Sequence, residues 1–530
     1  MIVAVNLCAA AAREDFKCER NELDKTSCTF SVIKNSYDFF NSLDKYKDNE
    51  ANKITTINLQ NSSIGNIPAE LFRMYTKLKT LNASNVELER IEKFDIMDAK
   101  TLVSLNISFN GVTKLPSEII QDLPRLEILD LSYNALSNIH RHAFEDHNIQ
   151  LKFLNLSHNK LTELNFHDFI NLDNLEEFNL NNNHIESIKN VDKILMLLKL
   201  KKLFLQENKL TKFYPTLAQE MEVLDLSRNK LYDEKLHSGN LKKMIVVGCN
   251  MAELTVNSSL ETLIFRDNDA SVLKLNGNTI MKHLEIEFKH YKPNESLQDE
   301  IKKMENLTFL LISGLEQTFT ANSFAKLRKL ERLHLLQCKL ERIPMNFFTN
   351  LQQLQTLDLS HNPLSVLDLH DLNPLKKLEV LYLVNTDTKE LLYYEDVKTI
   401  LPNLKEVTFP YLTFNCSYYA KLVEKFSFVR INHPYFPNTE LDGNFTVCIK
   451  PSLYPLEATT LKQPNSSEVE TDFSLNMLIY VLVSLVLMSF CIFFTYSKLK
   501  RNNRFMGRFS FTKGSEILNN DDSDEIFNTY

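Results

Sequence analysis

Residues 151–161 read LKFLNLSHNKL, and close copies of this eleven-residue stretch recur along the chain. The copies are LVSLNISFNGV at 102–112, LEILDLSYNAL at 126–136, LEEFNLNNNHI at 175–185, LKKLFLQENKL at 200–210, MEVLDLSRNKL at 221–231, LERLHLLQCKL at 330–340 and LQTLDLSHNPL at 354–364. Weaker copies start at Ile54, Leu78, Leu241, Leu260, Met281, Leu307, Leu378 and Leu404, which makes about sixteen units. Successive units start mostly 23–26 residues apart, with a run of 21, 20, 19 and 21 between Leu200 and Met281.

The shared pattern, LxxLxLxxNxL, predicts one short strand in each unit. The alternating L-x-L points two leucines into a common core. The Asn turns the chain and hydrogen-bonds backbone groups of neighbouring units, so that the units stack into a solenoid. A bundle of amphipathic helices, the alternative, would space its apolar residues by about 3.6 and not by a repeat of this length.

These units resemble leucine-rich repeats, over roughly residues 54–414. The resemblance is to cell-surface receptors and adhesion proteins, including the ectodomains of Toll-like receptors and insect immune and neural proteins. It implies an α/β fold, a curved horseshoe with a parallel sheet on the concave face, and a role in recognition or adhesion. The resemblance stops at residues 497–530, which are too few for a Toll signalling domain.

The composition of the chain excludes several classes of function. The net charge of −8 disfavours a nucleic-acid-binding protein, which needs a concentrated basic face. The chain has nine glycines, and no two lie closer than seven residues apart, so GxGxxG, GxxxxGK and GxSxG motifs are excluded. HExxH is also missing, and no paired acid/base site stands out. We therefore expect neither an enzyme nor a cofactor, and the alternative of a membrane-tethered enzyme has no supporting residue.

The ends of the chain predict a type I membrane protein. Residues 477–496 carry no charge and are long enough to span a bilayer as a helix. Basic residues follow this span and acidic residues precede it, which places the C-terminus in the cytosol. Residues 1–12 resemble an atypical signal peptide. Ten Asn-x-Ser/Thr sequons precede the span and none follows it, at Asn61, Asn82, Asn106, Asn155, Asn257, Asn294, Asn306, Asn415, Asn444 and Asn465.

Six of the eight cysteines fall into two groups. Cys18 with Cys28, and Cys416 with Cys448, flank the array where terminal caps are required, and we expect each pair to form a disulfide. Extracellular caps of this family often carry four cysteines, so two per cap is a departure. Cys249 and Cys338 occupy the template's Asn position, where we expect buried, unbridged thiols that are part of the scaffold.

The predicted organisation follows from these features. It comprises a signal peptide (1–12), an N-terminal cap (13–53), about fifteen repeats (54–403), a last degenerate repeat and C-terminal cap (404–448), a stalk (449–476), a transmembrane helix (477–496) and a cytoplasmic tail (497–530). The shortened units between Leu200 and Met281 predict a local change in curvature.

A ligand is expected on the concave face, which carries the x of each L-x-L. This column begins as Asn58, Asn82, Asn106, Asp130, Asn155 and Asn179. It continues as Phe204, Asp225, Ile245, Ile264, Glu285, Leu311, His334, Asp358 and Tyr382. Glycans on Asn82, Asn106 and Asn155 would crowd its N-terminal part. The apolar stretch around Phe204, Ile245, Ile264 and Leu311 predicts a partner surface, although shortened repeats could instead bury these side chains.

Two functions remain open at this point. The chain is either a recognition receptor or co-receptor for an extracellular protein ligand, or an adhesion molecule that acts by homophilic or heterophilic contact. The partner is a protein, including another leucine-rich-repeat protein as homo- or heterodimer. His283 and His334 lie on predicted strands without a second His, Asp or Cys at ligand spacing, so we expect surface histidines and no metal site.

Overall fold

The structure is a computed structural model of the 530-residue chain. It describes residues 19–20, 24–31, 51–145, 149–213, 220–231, 235–236, 241–251, 253–256, 260–268, 272–276, 278–288, 296–315, 319–410 and 416–432. The chain divides into one unit up to Cys448 and a second from Ile449, and the second lies wholly outside the described residues. The predicted stalk, transmembrane helix and tail therefore lie outside the described residues, and so does the predicted signal peptide. None of the helices in the described ranges is long and apolar enough to cross a membrane.

One sheet runs through the first unit, with nineteen strands among the described residues. They are Glu19–Arg20, Ser27–Ser31, Thr56–Gln60, Thr80–Asn82, Ser104–Asn106, Ile128–Asp130, Phe153–Asn155, Glu177–Asn179, Lys202–Phe204, Val223–Asp225, Lys243–Val247, Thr262–Asn268, His283–Phe288, Phe309–Ser313, Arg332–Leu336, Thr356–Asp358, Val380–Tyr382, Glu406–Thr408 and Arg430–Asn432. The first pair is antiparallel and every later pairing is parallel. All sixteen predicted units contribute a strand, which confirms the solenoid.

The leucine template explains this sheet. We number its positions one to eleven, so that Leu151 is position one and Asn159 is position nine. Leu154 and Leu156, at positions four and six, are buried, whereas positions three and five of the same strand point away from the core. Each fully buried leucine contributes about 1.5–3 kcal/mol. Because every repeat adds the same leucines, they form one continuous core along the array.

The opposite side of the core is built from short pieces. Parallel strands pair there as Lys114–Leu115 with Asn138–Ile139, Glu163–Asn165 with Ser187–Lys189, Lys235–Leu236 with Glu253–Val256 and Val272–Lys274, and Val366–Asp368 with Glu390–Leu392. The α-helices are Glu70–Met74, Lys93–Ile96, Ser296–Ile301, Val397–Ile400 and Cys416–Lys425. The 3₁₀ helices are Ala51–Lys53, Phe166–Phe169, Val191–Met196, Leu369–Leu372 and Tyr394–Asp396.

The shortened repeats differ from the rest on both sides. Strands Lys243–Val247, Thr262–Asn268 and His283–Phe288 span five to seven residues, where most earlier strands span three. Position seven is Val247 or Arg266 in the first two of these, whereas Ser occupies it in many of the other repeats. The chain between these strands covers the opposite side of the core with further short strands, and a strand spans a given distance with fewer residues than a helix. The predicted change in curvature stays a prediction.

The ends of the sheet extend beyond the recognisable template. Ser27–Ser31 pairs with the first repeat and Arg430–Asn432 with the last, so each predicted cap contributes a strand. Cys28 is buried and disulfide-bonded, while its predicted partner Cys18 lies outside the described residues. Cys416 begins a helix, but its side chain and Cys448 lie outside them as well. Both pairings remain predictions.

Candidate ligand-binding face

We call the side of the main sheet that carries positions three and five the open face. The predicted column of position-five residues lies there in consecutive register. The paired residues run Phe204, Asp225, Ile245, Ile264, Glu285, Leu311, His334, Asp358 and Tyr382. The structure thus brings every predicted ligand-face candidate onto one face of the sheet, strand beside strand.

Exposure along this column is uneven. Phe204, Ile245 and Ile264 are half-buried, and we call these three the central stripe. Leu311 is only 7% exposed, so the expectation that it belongs to the apolar partner surface is wrong. Its neighbours in register, Glu285 and His334, are each held by a polar contact.

The asparagines of the N-terminal repeats have a structural task that the sequence reading missed. The Oδ1 atom of Asn106 accepts a hydrogen bond from the backbone N–H of Ser108 at 2.9 Å. Asp130 does the same for Ser132. Side chains of this type terminate strands by satisfying backbone donors two residues on. The uniform Asn or Asp at position five therefore reflects turn formation, and Asp225, which is buried, accepts the same bond from Ser227.

The charges at position two compensate one another. This position alternates in sign over eight repeats, as Glu127, Lys152, Glu176, Lys201, Glu222, Lys242, Glu261 and Lys282. Adjacent residues pair, for example Lys201 with Glu176 at 2.8 Å, and this hydrogen bond lowers the pKa of Glu176. Each surface pair stabilises the fold by at most about 1 kcal/mol. What matters more is that the edge of the open face has little free charge with which to attract a charged partner.

A polar cluster lies beside the central stripe. The Nε2 atom of His283 is 2.7 Å from Oε1 of Glu285, and Arg266 pairs with the same carboxylate at 3.2 Å. These contacts, the His283 hydrogen bond first, hold the pKa of Glu285 below its usual range. The His283 ring also stacks on Phe309, with centroids 4.2 Å apart.

His334 also has a partner, which the sequence reading overlooked. Its Nδ1 atom lies 3.2 Å from Oδ2 of Asp358 on the next strand. Burial raises the pKa of Asp358, but hydrogen bonds from His334 and Ser360 outweigh it and the pKa is lowered. Within the described ranges no group of three or more His, Cys, Asp or Glu is arranged to hold a metal ion.

A second surface feature was missed because it lies at position eight. Phe109, Tyr133 and His158 stack in consecutive repeats, with centroids 4.1 Å and 3.8 Å apart. Phe109 is 52% and Tyr133 43% exposed. All three have φ between 52° and 54°, which is unusual for bulky side chains. We call them the aromatic ridge. A sequence signal did exist, since three successive rings occupy the same template position.

The two predicted scaffold thiols are confirmed. Cys249 and Cys338 are free, and both are buried. The Sγ atom of Cys249 lies 3.1 Å from the carbonyl oxygen of Leu226. Burial raises the pKa of Cys249 to about 11 and that of Cys338 to about 12.

These pKa values predict unreactive thiols. Because the thiolate is the reacting species, iodoacetamide at neutral pH should leave both cysteines unmodified in the folded chain and should label both after denaturation. Peptide mass mapping of the two samples checks this. Equal labelling of Cys249 before and after denaturation would contradict it.

These features define the class: a solenoid in which each repeat adds one parallel strand and exposes the same template positions on one face. Profiles for the leucine-rich repeat match residues 100–149, 328–387 and 150–172. The matched segments are leucine-rich repeats, and the open face corresponds to the predicted concave face.

Solved structures share this fold. A leucine-rich-repeat protein of Leptospira interrogans is 21% identical with a TM-score of 0.51, and the match covers 82% of this chain and 98% of that one. Toll, solved in complex with Spätzle from Drosophila, is 19% identical with a TM-score of 0.50, and the match covers 68% of this chain and 49% of that one. At these identities the likeness concerns the fold alone. Comparison with curated proteins finds no significant match.

Proposed function

We propose that this chain is a cell-surface protein that binds an extracellular protein ligand on the open face of its repeats. It acts as a recognition receptor or co-receptor and not as an enzyme. The observation that carries the proposal is the central stripe, where three apolar side chains remain half-exposed on a sheet whose edge charges are already compensated. Half-exposed apolar side chains grouped on a rigid sheet are typical of protein contact sites.

Single-pass type I topology belongs to the same proposal. It is supported by the uncharged stretch at 477–496, the basic residues after it and the ten sequons before it. The predicted stalk and the short cytoplasmic tail complete this arrangement, in which signalling passes through a partner or through the tail.

The test replaces the central stripe by charge. Ile245→Asp and Ile264→Asp together should weaken capture of a protein ligand at least about 30-fold, since truncating a contact hot spot costs about 2 kcal/mol or more. Both side chains point away from the core, so folding should survive, which circular dichroism checks. Lys230→Asp, at exposed position ten of the preceding repeat and outside the main sheet, is the matched control, because it changes the net charge by the same amount as the double substitution.

The assay also separates receptor from adhesion molecule. Cells that express the chain are tested for capture of soluble proteins and, in parallel, for clumping with one another. Capture without clumping supports the receptor, whereas clumping of expressing cells that the double substitution abolishes supports adhesion. If neither capture nor clumping changes in the folded double variant, the open face is not the binding surface.

A further inference from the structure

The strand Phe153–Asn155 places an exposed ring beside a sequon. Phe153 is 41% exposed, Asn155 follows two residues later, and Ser157 completes the Asn-x-Ser sequence. Side chains two residues apart on a strand point to the same side, about 7 Å from one another. The ring and the amide therefore stand side by side on the open face.

The amide of Asn155 is held in one orientation. Its Oδ1 atom accepts hydrogen bonds from the backbone N–H of Ser157 at 3.1 Å and from the Ser157 hydroxyl at 2.7 Å. Both bonds turn the carbonyl side of the amide toward the turn. The amide nitrogen, the atom to which an N-linked glycan is attached, has no acceptor in the described part of the chain. An attached sugar would thus be directed from a fixed position.

The surroundings suit a sugar better than a charged ligand. Ile128 pairs in register with Phe153 and is also exposed, which gives an apolar patch. Asn179 is the next position-five side chain, and the charges of Lys152 and Glu127 compensate each other at 2.8 Å. A pyranose has an apolar C–H face and hydroxyls at its rim, so it can cover the ring and still meet amides.

We propose that the first sugar of an N-linked glycan on Asn155 packs its C–H face on the ring of Phe153. The glycan covers the apolar patch of Phe153 and Ile128 and closes this part of the open face to protein ligands, which leaves the central stripe as the accessible site. This proposal rests on the extracellular location in the proposed function, since such glycans are found on surface regions of secreted chains.

The chain offers matched comparison sites. Asn82 and Asn106 are sequon acceptors at the same template position, and their Oδ1 atoms accept the equivalent backbone hydrogen bonds from Ser84 and Ser108. The residue that corresponds to Phe153 is Thr80 in one repeat and Ser104 in the other. These sites therefore differ from Asn155 mainly in lacking the ring.

The experiment measures how fast each glycan is released. The full chain is produced in human cells and treated under native conditions with a peptide N-glycosidase, and glycopeptides are counted over time. Release at Asn155 should be about two- to tenfold slower than at Asn106, the protection expected of one aromatic contact. Phe153→Ser should remove this difference, and Ser104→Phe should slow release at Asn106 by a similar factor.

Each outcome decides the proposal. Slow release at Asn155 that depends on Phe153 supports it. Equal release rates at Asn155 and Asn106, slow release that survives Phe153→Ser, or an unmodified Asn155 beside occupied Asn82 and Asn106 overturns it while leaving the proposed function intact. A chain with no glycan at any of the ten sequons overturns both.

Discussion

Gly314→Ala is expected to destabilise the main sheet by about 3 kcal/mol or more, which places it among the most damaging substitutions for this fold. Gly314 has φ +75°, and a Cβ atom there would lie 1.9 Å from the carbonyl oxygen of Phe288. The atom that the Cβ would meet belongs to the backbone, so the clash cannot be relieved by the rotation of a side chain. Two neighbouring strands would have to separate. Urea unfolding followed by circular dichroism should show a clearly lower midpoint.

Substitutions at two other glycines separate the effect of the positive φ from the effect of the close contact. Gly65 has φ +67° with no atom within 4 Å of the added carbon, so Gly65→Ala reports the backbone term alone, about 1–2 kcal/mol. At Gly111 the added carbon would lie 3.2 Å from the carbonyl oxygen of Leu88, and Gly111→Ala reports mild crowding. If Gly314→Ala costs no more than Gly65→Ala, the close approach of the two strands is not a constraint on the fold.

Much of the open face could be predicted because each repeat pairs with the next in register. Once the leucines of one repeat are aligned, the residue at position five is fixed in every other repeat, even across the shortened units. Ile245 and Ile264 were placed correctly in this way, on adjacent strands. Cys249 was placed by the same argument, although its thiol is only a weak donor where the template has an amide.

Contacts between variable positions could not be predicted, because the template says nothing about them. His334 reaches Asp358 across 24 residues only because both side chains adopt suitable rotamers. Leu311 was expected at the surface on position alone, yet its side chain is buried. Phe109 and Tyr133 occupy a left-handed position that Asn85 and Asn182 fill in other repeats, so the template indicated the turn but not the stacking of the rings.

The ends of the sheet escaped prediction for a different reason. Arg430–Asn432 pairs with the last repeat through its backbone, and the segment lacks the leucines of the template. Ser27–Ser31 alternates Cys28 and Phe30 into the core, a pattern too short to distinguish from chance. Backbone pairing to an existing edge needs few specific side chains, so caps can extend a solenoid without resembling its repeats.

Asn159→Ala should cost about 2–5 kcal/mol, because the Asn at position nine joins neighbouring repeats through buried hydrogen bonds. The Nδ2 atom of Asn159 donates to the carbonyl oxygens of Leu131, at 2.9 Å, and Leu156, at 3.1 Å. Its Oδ1 atom accepts the backbone N–H of Leu136 at 2.9 Å. Alanine can form none of these hydrogen bonds, and the backbone groups that made them stay buried without this partner. The free energy of unfolding in urea measures the loss.

Cys249→Ala is the matched control, since this thiol fills the same template position with a single short contact, 3.1 Å to the carbonyl oxygen of Leu226. A thiol is a weak donor and a poor acceptor, so this substitution should cost about 1 kcal/mol or less. The difference between the two variants measures what the asparagine amide adds to stacking of the repeats. If Asn159→Ala is no more destabilising than Cys249→Ala, the leucine core alone holds adjacent repeats together and the amide ladder only sets the turn.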